Sequence, residues 1–157
     1  MPRAAREPEL IDFKPDDRAA VLARMDGLGQ AGTGWINLSP ALEDEAELPE
    51  RSATFGIFSG RGPDVPLCTW VPGTSKTQAQ LGIQHGAGTK AAPLLKDMGF
   101  PLPEGWRVTQ DHPRRGLVIM LPPDASSEAA LDWLISAGTA LAAHLKTAGW
   151  WRAGVYT

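Results

Sequence analysis

Cysteine is nearly absent from this chain, which contains a single one, Cys68. One cysteine excludes an intramolecular disulfide and any metal site that is built from several cysteines. No pair of histidines has metal-ligand spacing either, so we expect neither a metal nor a cofactor. Chains with so little cysteine are typical of reducing compartments, and we therefore expect a cytoplasmic protein.

Long apolar runs are also absent. No apolar stretch approaches the ~20 residues that a membrane-spanning helix needs, and residues 1–8 carry two arginines with no apolar segment behind them. This is not the pattern of a signal peptide. Residues 1–9 are rich in proline and charge, which predicts a disordered tail. The sequence therefore predicts a soluble protein with no membrane partner.

Basic residues are too few to balance the acidic ones in the first third of the chain, where residues 1–50 hold 5 basic and 11 acidic residues. The net charge is -3, and acidic residues concentrate in the run EDEAELPE at 43–50. Such a run is typical of a solvated loop, although it could instead dock on the more basic remainder of the chain or on a partner. Nucleic acid is a poor candidate for the main ligand, because backbone binding needs a positive field.

What the chain does contain is enough apolar residues for one core. It has 157 residues, of which 43% are hydrophobic and 21% charged, as expected for a single globular domain, here residues 10–157. Predicted strands come in consecutive runs and not singly between helices. This order predicts an α+β fold, with an antiparallel or mixed sheet of about six to eight strands covered on one face by two to three helices.

The helices and strands follow from the periodicity of apolar residues and from turn residues. Pro15 fits the start of a helix, and Pro66 indicates either an edge strand or a residue that donates no ladder hydrogen bond. Residues 78–84 alternate small or apolar residues with glutamines, which predicts a strand with one buried face. The predicted helices are 15–28, 90–98 and 126–146, and the predicted strands are 10–13, 35–38, 54–58, 65–71, 78–84, 106–108, 117–121 and 150–156.

A possible internal repeat relates residues 70–98 to residues 106–134. Both segments read strand, turn, strand and helix, and this matching order is the main reason to consider a duplication. Either the similarity is chance, or the two helices lie on the same side of one antiparallel sheet and are related by a pseudo-twofold axis. At an offset of 36 the identical or similar pairs are Trp70 with Trp106, Leu81 with Leu117, Ile83 with Ile119, Leu95 with Leu131, and Met98 with Leu134.

The densest group of functional side chains lies in the predicted turn 110–116. His112 beside Asp111 could act as a general base near neutral pH. Arg114 and Arg115 could bind a carboxylate or a phosphate through paired donors. The simpler interpretation is a charged hairpin tip, because Asp, Pro and Gly are turn formers and neighbours at a turn often point in different directions.

A short stretch around this turn resembles a known group of proteins. The residues that carry the resemblance are Gly105-Trp106-Arg107-Val108 and Asp111-His112-Pro113-Arg114-Arg115-Gly116-Leu117-Val118. They are similar to a segment of small, uncharacterised bacterial proteins with no assigned activity. The resemblance covers about a quarter of the chain. Because that group has no assigned activity, the resemblance implies no mechanism and no catalytic residues.

A second candidate is the segment 85–90, which connects a predicted strand to a predicted helix. Gly86 and Gly88 would let the backbone approach an anion, and Lys90 would add a positive charge. The phosphate-binding patterns G-x-x-x-x-G-K-[ST] and G-x-G-x-x-G are both missing. A plain strand-to-helix turn is therefore the competing interpretation.

Six tryptophans are many for a chain of this length. Most should be buried, but some could form an exposed apolar patch, which indicates a partner surface.

The sequence contains no catalytic signature, so the leading hypothesis is a non-catalytic interaction protein that forms homodimers. The alternative is a small enzyme or an anion-binding protein that uses residues 111–115, with Lys90, Gly86 and Gly88 nearby. The position of these side chains relative to a concave pocket separates the two hypotheses.

Overall fold

The computed structural model describes residues 7–43 and 63–157. The predictions for residues 1–6, for most of the acidic run and for a strand at 54–58 therefore lie outside the described residues. The elements are β1 Glu9–Phe13, α1 Ala19–Ala31, β2 Trp35–Leu42, β3 Leu67–Val71, β4 Gln80–Gln84, α2 Ala91–Asp97, β5 Arg107–His112, β6 Gly116–Met120, α3 Ser127–Leu141 and β7 Thr147–Tyr156.

The strands form one sheet of seven in the order β1-β7-β2-β3-β4-β6-β5. Every neighbouring pair is antiparallel, so the predicted α+β class is confirmed in its antiparallel form. β3 lies between β2 and β4, and the edge position suggested by Pro66 is therefore wrong. Pro66 immediately precedes β3, where the sheet requires no donor from it.

One row of buried side chains crosses the centre of the sheet. Ile36 pairs with Trp70, Trp70 with Leu81, and Leu81 with Ile119, and each is at most 5% exposed. These side chains belong to one core cluster with the buried residues of all three helices. Because successive strand residues point to opposite faces, the residues between them form a second, separate face.

The first helix begins and ends later than predicted. Asp17 donates its N–H to the Lys14 carbonyl at 2.9 Å, so residues 14–17 form a tight turn. The helix starts only after this turn, at Ala19. The helix ends at Ala31 and is followed by Gly32, whose φ of 68° and 2.7 Å hydrogen bond to the Leu28 carbonyl are typical of a glycine cap.

The longest helix, α3, packs as its sequence predicts but ends at Leu141. Ser126 caps it by accepting the Ala129 N–H at 3.0 Å. The sequence predicts one apolar face of Leu131, Leu134, Ile135, Leu141 and Leu145. The first four are buried, whereas Leu145 lies beyond the helix and is half-buried. The Cys68 thiol lies 3.9 Å from the Leu134 carbonyl. Burial raises the pKa of Cys68 to about 12, which makes the thiol unreactive. No helix within the two described ranges is long and apolar enough to cross a membrane.

The proposed duplication is favoured by the second half of each segment. β4 and β6 pair with Gly82 opposite Val118, and these residues are equivalent at the predicted offset. β6 and α3 also begin 36 residues after β4 and α2. The first strands do not correspond, because Trp70 lies inside β3 whereas Trp106 precedes β5. The duplication therefore stays a prediction.

Candidate functional site

The basic turn is the tip of the hairpin that joins β5 to β6. β5 extends to His112 and β6 begins at Gly116, so the turn is shorter than the sequence suggests. Arg114 and Arg115 are both exposed. Exposed arginines interact weakly with an anion at physiological salt unless other groups assist them.

The His112 side chain organises this tip. Its Nδ1 accepts the backbone N–H groups of Arg114 and Arg115, both at 3.1 Å. A ring nitrogen that accepts two hydrogen bonds is not free to take a proton from a substrate. His112 therefore stabilises a tight turn, and this bonding does not support the role of general base through Nδ1.

Asp111 points to the other side of the sheet. Its two carboxylate oxygens accept the N–H groups of Ala91 and Ala92 at 2.8 and 3.0 Å. Lys90 occupies the N-cap position of α2 without a side-chain hydrogen bond, and Asp111 supplies the cap from a neighbouring strand. Asp111 and His112 thus serve different structures, as expected for successive residues of a strand.

The segment 85–90 comes close to Asp111 but offers little room for a ligand. A β-carbon on Gly86 would lie 2.9 Å from the Pro63 carbonyl oxygen, whereas one on Gly88, whose φ is 72°, would meet nothing within 4 Å. Gly86 thus permits close packing, and Gly88 permits the left-handed turn. His85 is 1% exposed, and its Nδ1 accepts the Ala87 N–H at 3.2 Å.

His85 has an unusual environment for a histidine. Burial lowers its pKa, and the nearby Asp111 carboxylate raises the pKa and so opposes this effect. Because Nδ1 is an acceptor, the neutral ring carries its proton on Nε2. Nε2 is buried and donates to no acceptor in the part of the chain that the structure describes. No pattern in the sequence indicates that His85 lies near Asp111, because the two residues belong to different parts of the chain.

Acid should destabilise the fold through His85. Its folded pKa lies below the ordinary value of 6.5, so the unfolded chain binds more protons, and stability falls as the pH drops through 6.5. His85→Asn keeps an acceptor for Ala87 at the position of Nδ1 and removes this titration. We expect the variant to lose less unfolding free energy than the wild type between about pH 7.5 and 5.5 in urea titrations. His144→Asn, at an exposed histidine, should keep the wild-type dependence, and an unchanged slope for His85→Asn would refute the assignment.

A further concave surface lies away from all of these residues. It is a cleft of about 520 Å³ between the β3–β4 loop and the β6–α3 loop. Lys76 and the hydroxyl residues of the segment 74–77 line one side, and Trp70 and Leu121 lie on the other. None of the residues proposed from the sequence lines it. The run Thr74-Ser75-Lys76-Thr77 was visible in the sequence but resembled an ordinary polar turn.

The face of the sheet opposite the buried row has its own composition, and we call it the Trp35 face. Trp35 stacks on Tyr156 with ring centroids 4.7 Å apart and planes 7° apart. Beside this stack, one row of residues without charged side chains crosses all seven strands. The row consists of Leu10, Gly154, Asn37, Thr69, Gly82, Val118 and Gln110, in strand order.

Charge on the Trp35 face is sparse and largely compensated. Arg152 donates to both carboxylate oxygens of Asp12 at 2.7 and 3.0 Å, and these hydrogen bonds lower the pKa of Asp12. The Arg152 guanidinium also lies 5.6 Å from the Trp150 ring. Arg107 is the other charged side chain that the register places on this face.

No protein-family model matches the chain, and no curated protein or solved structure is significantly similar to it. The functional argument therefore rests on the geometry of the described residues. In that geometry the residues of the basic turn have different structural roles and do not form one site. Two other features are candidates for function, the Trp35 face and the cleft beside Lys76.

Proposed function

We propose that this chain is a non-catalytic interaction protein that forms a homodimer through the Trp35 face. The three helices, in this proposal, cover the opposite face and leave this one for the partner. The observation that carries the proposal is the exposure of large apolar side chains on a surface with little charge. Leu10 is 58% exposed, Trp35 41% and Val71 38%.

The composition of the Trp35 face supports a protein partner. The cores of protein interfaces are poor in charged residues and rich in aromatic ones. Across the central row no charged residue interrupts the surface, and the Trp35–Tyr156 stack flanks it. Tryptophan and tyrosine are also the residues that most often dominate binding energy at interfaces.

A second copy fits this surface better than a charged partner does. Asp12 is already paired with Arg152, so two identical faces can meet without a strong repulsion between like charges. The Trp35–Tyr156 stack and Gly82, which has no side chain and lies between Thr69 and Val118, are on the same face. In the proposed dimer, a twofold axis would place the aromatic stack of each copy over Gly82 of the other.

The size of the face is adequate for a dimer of moderate affinity. Seven strands about 4.8 Å apart and about five residues long span roughly 34 Å by 17 Å, or on the order of 600 Å² per copy. Two copies would then bury on the order of 1,200 Å², the lower end of the range for specific complexes. We therefore expect dissociation in the micromolar range rather than an obligate dimer.

Sedimentation equilibrium of the wild type and three variants tests this proposal. We expect the wild type to approach twice its chain mass of 16.8 kDa at concentrations above about 100 µM. Gly82→Lys should make the protein monomeric, because it places a charged side chain in the interface. The folded monomer accommodates the substitution, since a β-carbon at Gly82 meets neighbours only at 3.8 Å and beyond. Trp35→Ser should weaken the dimer. Met98→Ser, at a residue that is 43% exposed on α2's end, is the matched control and should dimerise normally.

Two results would contradict the proposal. The first is a wild-type protein that remains monomeric at about 500 µM, where even a weak dimer of this size should form. The second is a Gly82→Lys variant that dimerises as well as the wild type. Circular dichroism and urea unfolding of each variant establish that a loss of dimer is not a loss of fold.

A further inference from the structure

The cleft beside Lys76 has a fixed floor and wall. Trp70, 5% exposed, and Leu121 line its inner side. The Leu121 N–H donates to the Ala79 carbonyl at 2.9 Å, which ties the start of the β6–α3 loop to the residue before β4. These groups belong to the core or to the sheet, so the floor of the cleft exists before any ligand arrives.

The outer wall is the β3–β4 loop, and internal hydrogen bonds hold it in shape. The Thr74 hydroxyl accepts the N–H groups of Lys76 and Thr77, both at 3.1 Å, and lies 2.9 Å from the Thr77 hydroxyl. The Thr74 N–H donates to the Thr77 carbonyl at 2.8 Å. The loop is exposed, but its backbone is preorganised, which reduces the entropy lost on binding.

The lining combines one positive charge with an apolar inner side. Among the residues that line the cleft, Lys76 is the only charged one, and no carboxylate faces it there. Ser75, Thr77 and Ser127 add hydroxyl groups, and Pro122 and Leu121 continue the apolar surface from Trp70. A single lysine matches one negative charge, whereas a phosphate monoester carries about -1.5 to -2 at neutral pH.

We propose that this cleft binds a small carboxylic acid with an apolar body. The carboxylate would accept hydrogen bonds from Lys76 and the neighbouring hydroxyls, and the apolar body would lie against Trp70, Leu121 and Pro122. The volume of about 520 Å³ is within the usual range of ~300–1,000 Å³ for small-molecule sites. This site is independent of the Trp35 face, which is formed by the other side chains of the strands.

Phenylacetate is a suitable probe, and the uncharged phenylacetamide is its matched control. Binding is followed through the indole N–H signal of Trp70 in two-dimensional NMR, assigned with Trp70→Phe, with the signal of Trp35 as an internal reference. For about ten heavy atoms we expect a Kd of roughly 1–10 mM for phenylacetate. Phenylacetamide should bind at least about tenfold more weakly, because its oxygen can still accept a hydrogen bond from Lys76 but carries no negative charge to pair with the ammonium group.

Variants locate the site. Lys76→Met should weaken phenylacetate binding by about tenfold or more, whereas Lys96→Met, at an exposed lysine on α2, should leave it unchanged. The inference would be overturned if phenylacetate gave no saturable shift of the Trp70 signal, if phenylacetamide bound equally well, or if Lys76→Met had no effect. Inorganic phosphate that binds as tightly as phenylacetate would also overturn it, since the apolar body would then contribute nothing.

Discussion

Gly116→Ala should lower the free energy of unfolding by roughly 2–6 kcal/mol, the sum of two separate effects. Gly116 has a φ of 91°, which an alanine adopts only with strain. A β-carbon at this position would also overlap the backbone carbonyl oxygen of Ile83 in the neighbouring strand. Backbone in the middle of a sheet cannot move aside as a flexible side chain can, so the start of β6 would have to separate from β4. Urea unfolding measures the loss.

Gly88→Ala is the control that separates strain from overlap. Gly88 also has a positive φ, of 72°, but a β-carbon there would meet nothing within 4 Å. It should cost only the strain of the left-handed conformation, about 1–2 kcal/mol. Equal losses for the two variants would show that Gly116 is not packed against β4 as described.

Leu134→Ala should cost about 2–5 kcal/mol, the usual range for a buried leucine. Leu134 is 0% exposed and lies in the core cluster. Its helix contacts β2, β3 and β4, which are held in place by the rest of the sheet. The cavity should therefore stay open, and the loss should fall in the upper half of that range. Thermal or urea denaturation is the measurement.

An exposed apolar residue provides the comparison for Leu134. Met98→Ala, at 43% exposure, should cost less than about 1 kcal/mol, as surface substitutions usually do. If Leu134→Ala cost no more than Met98→Ala, then α3 would not present Leu134 to the sheet, and the description of the core would be wrong.

Much of the fold could be predicted because burial imposes a local pattern. The alternation around Leu81 and Ile83 predicts β4, and helical spacing around Leu131 and Leu134 predicts α3. The boundaries were less accurate where two local signals compete. Pro15 followed by two aspartates has the composition of a helix start, yet the Lys14–Asp17 hydrogen bond forms a turn there. Ser39-Pro40 reads as a strand end, but pairing with β7 continues through Pro40.

The site could not be predicted in the same way, because its geometry depends on contacts between distant segments. Asp111 and His112 are adjacent in sequence and suggest a catalytic pair, but one caps α2 and the other holds a hairpin tip. The Asp111 carboxylate accepts the N–H of Ala91, which lies 20 residues earlier in the sequence. The Trp35 face likewise depends on strand order, since Trp35 and Tyr156 are neighbours only because β2 pairs with β7.

Intermolecular nuclear Overhauser effects test the central proposal, the homodimer through the Trp35 face, most directly. A mixed sample of isotope-labelled and unlabelled protein reports only contacts between copies. We expect intermolecular signals from the ring protons of Trp35 and Tyr156 to Gly82, Val118 and Met120, and none to Met98 at the end of α2. A dimer whose intermolecular contacts involve Met98 and omit Trp35, or a concentrated sample with no intermolecular contacts, would contradict the proposal.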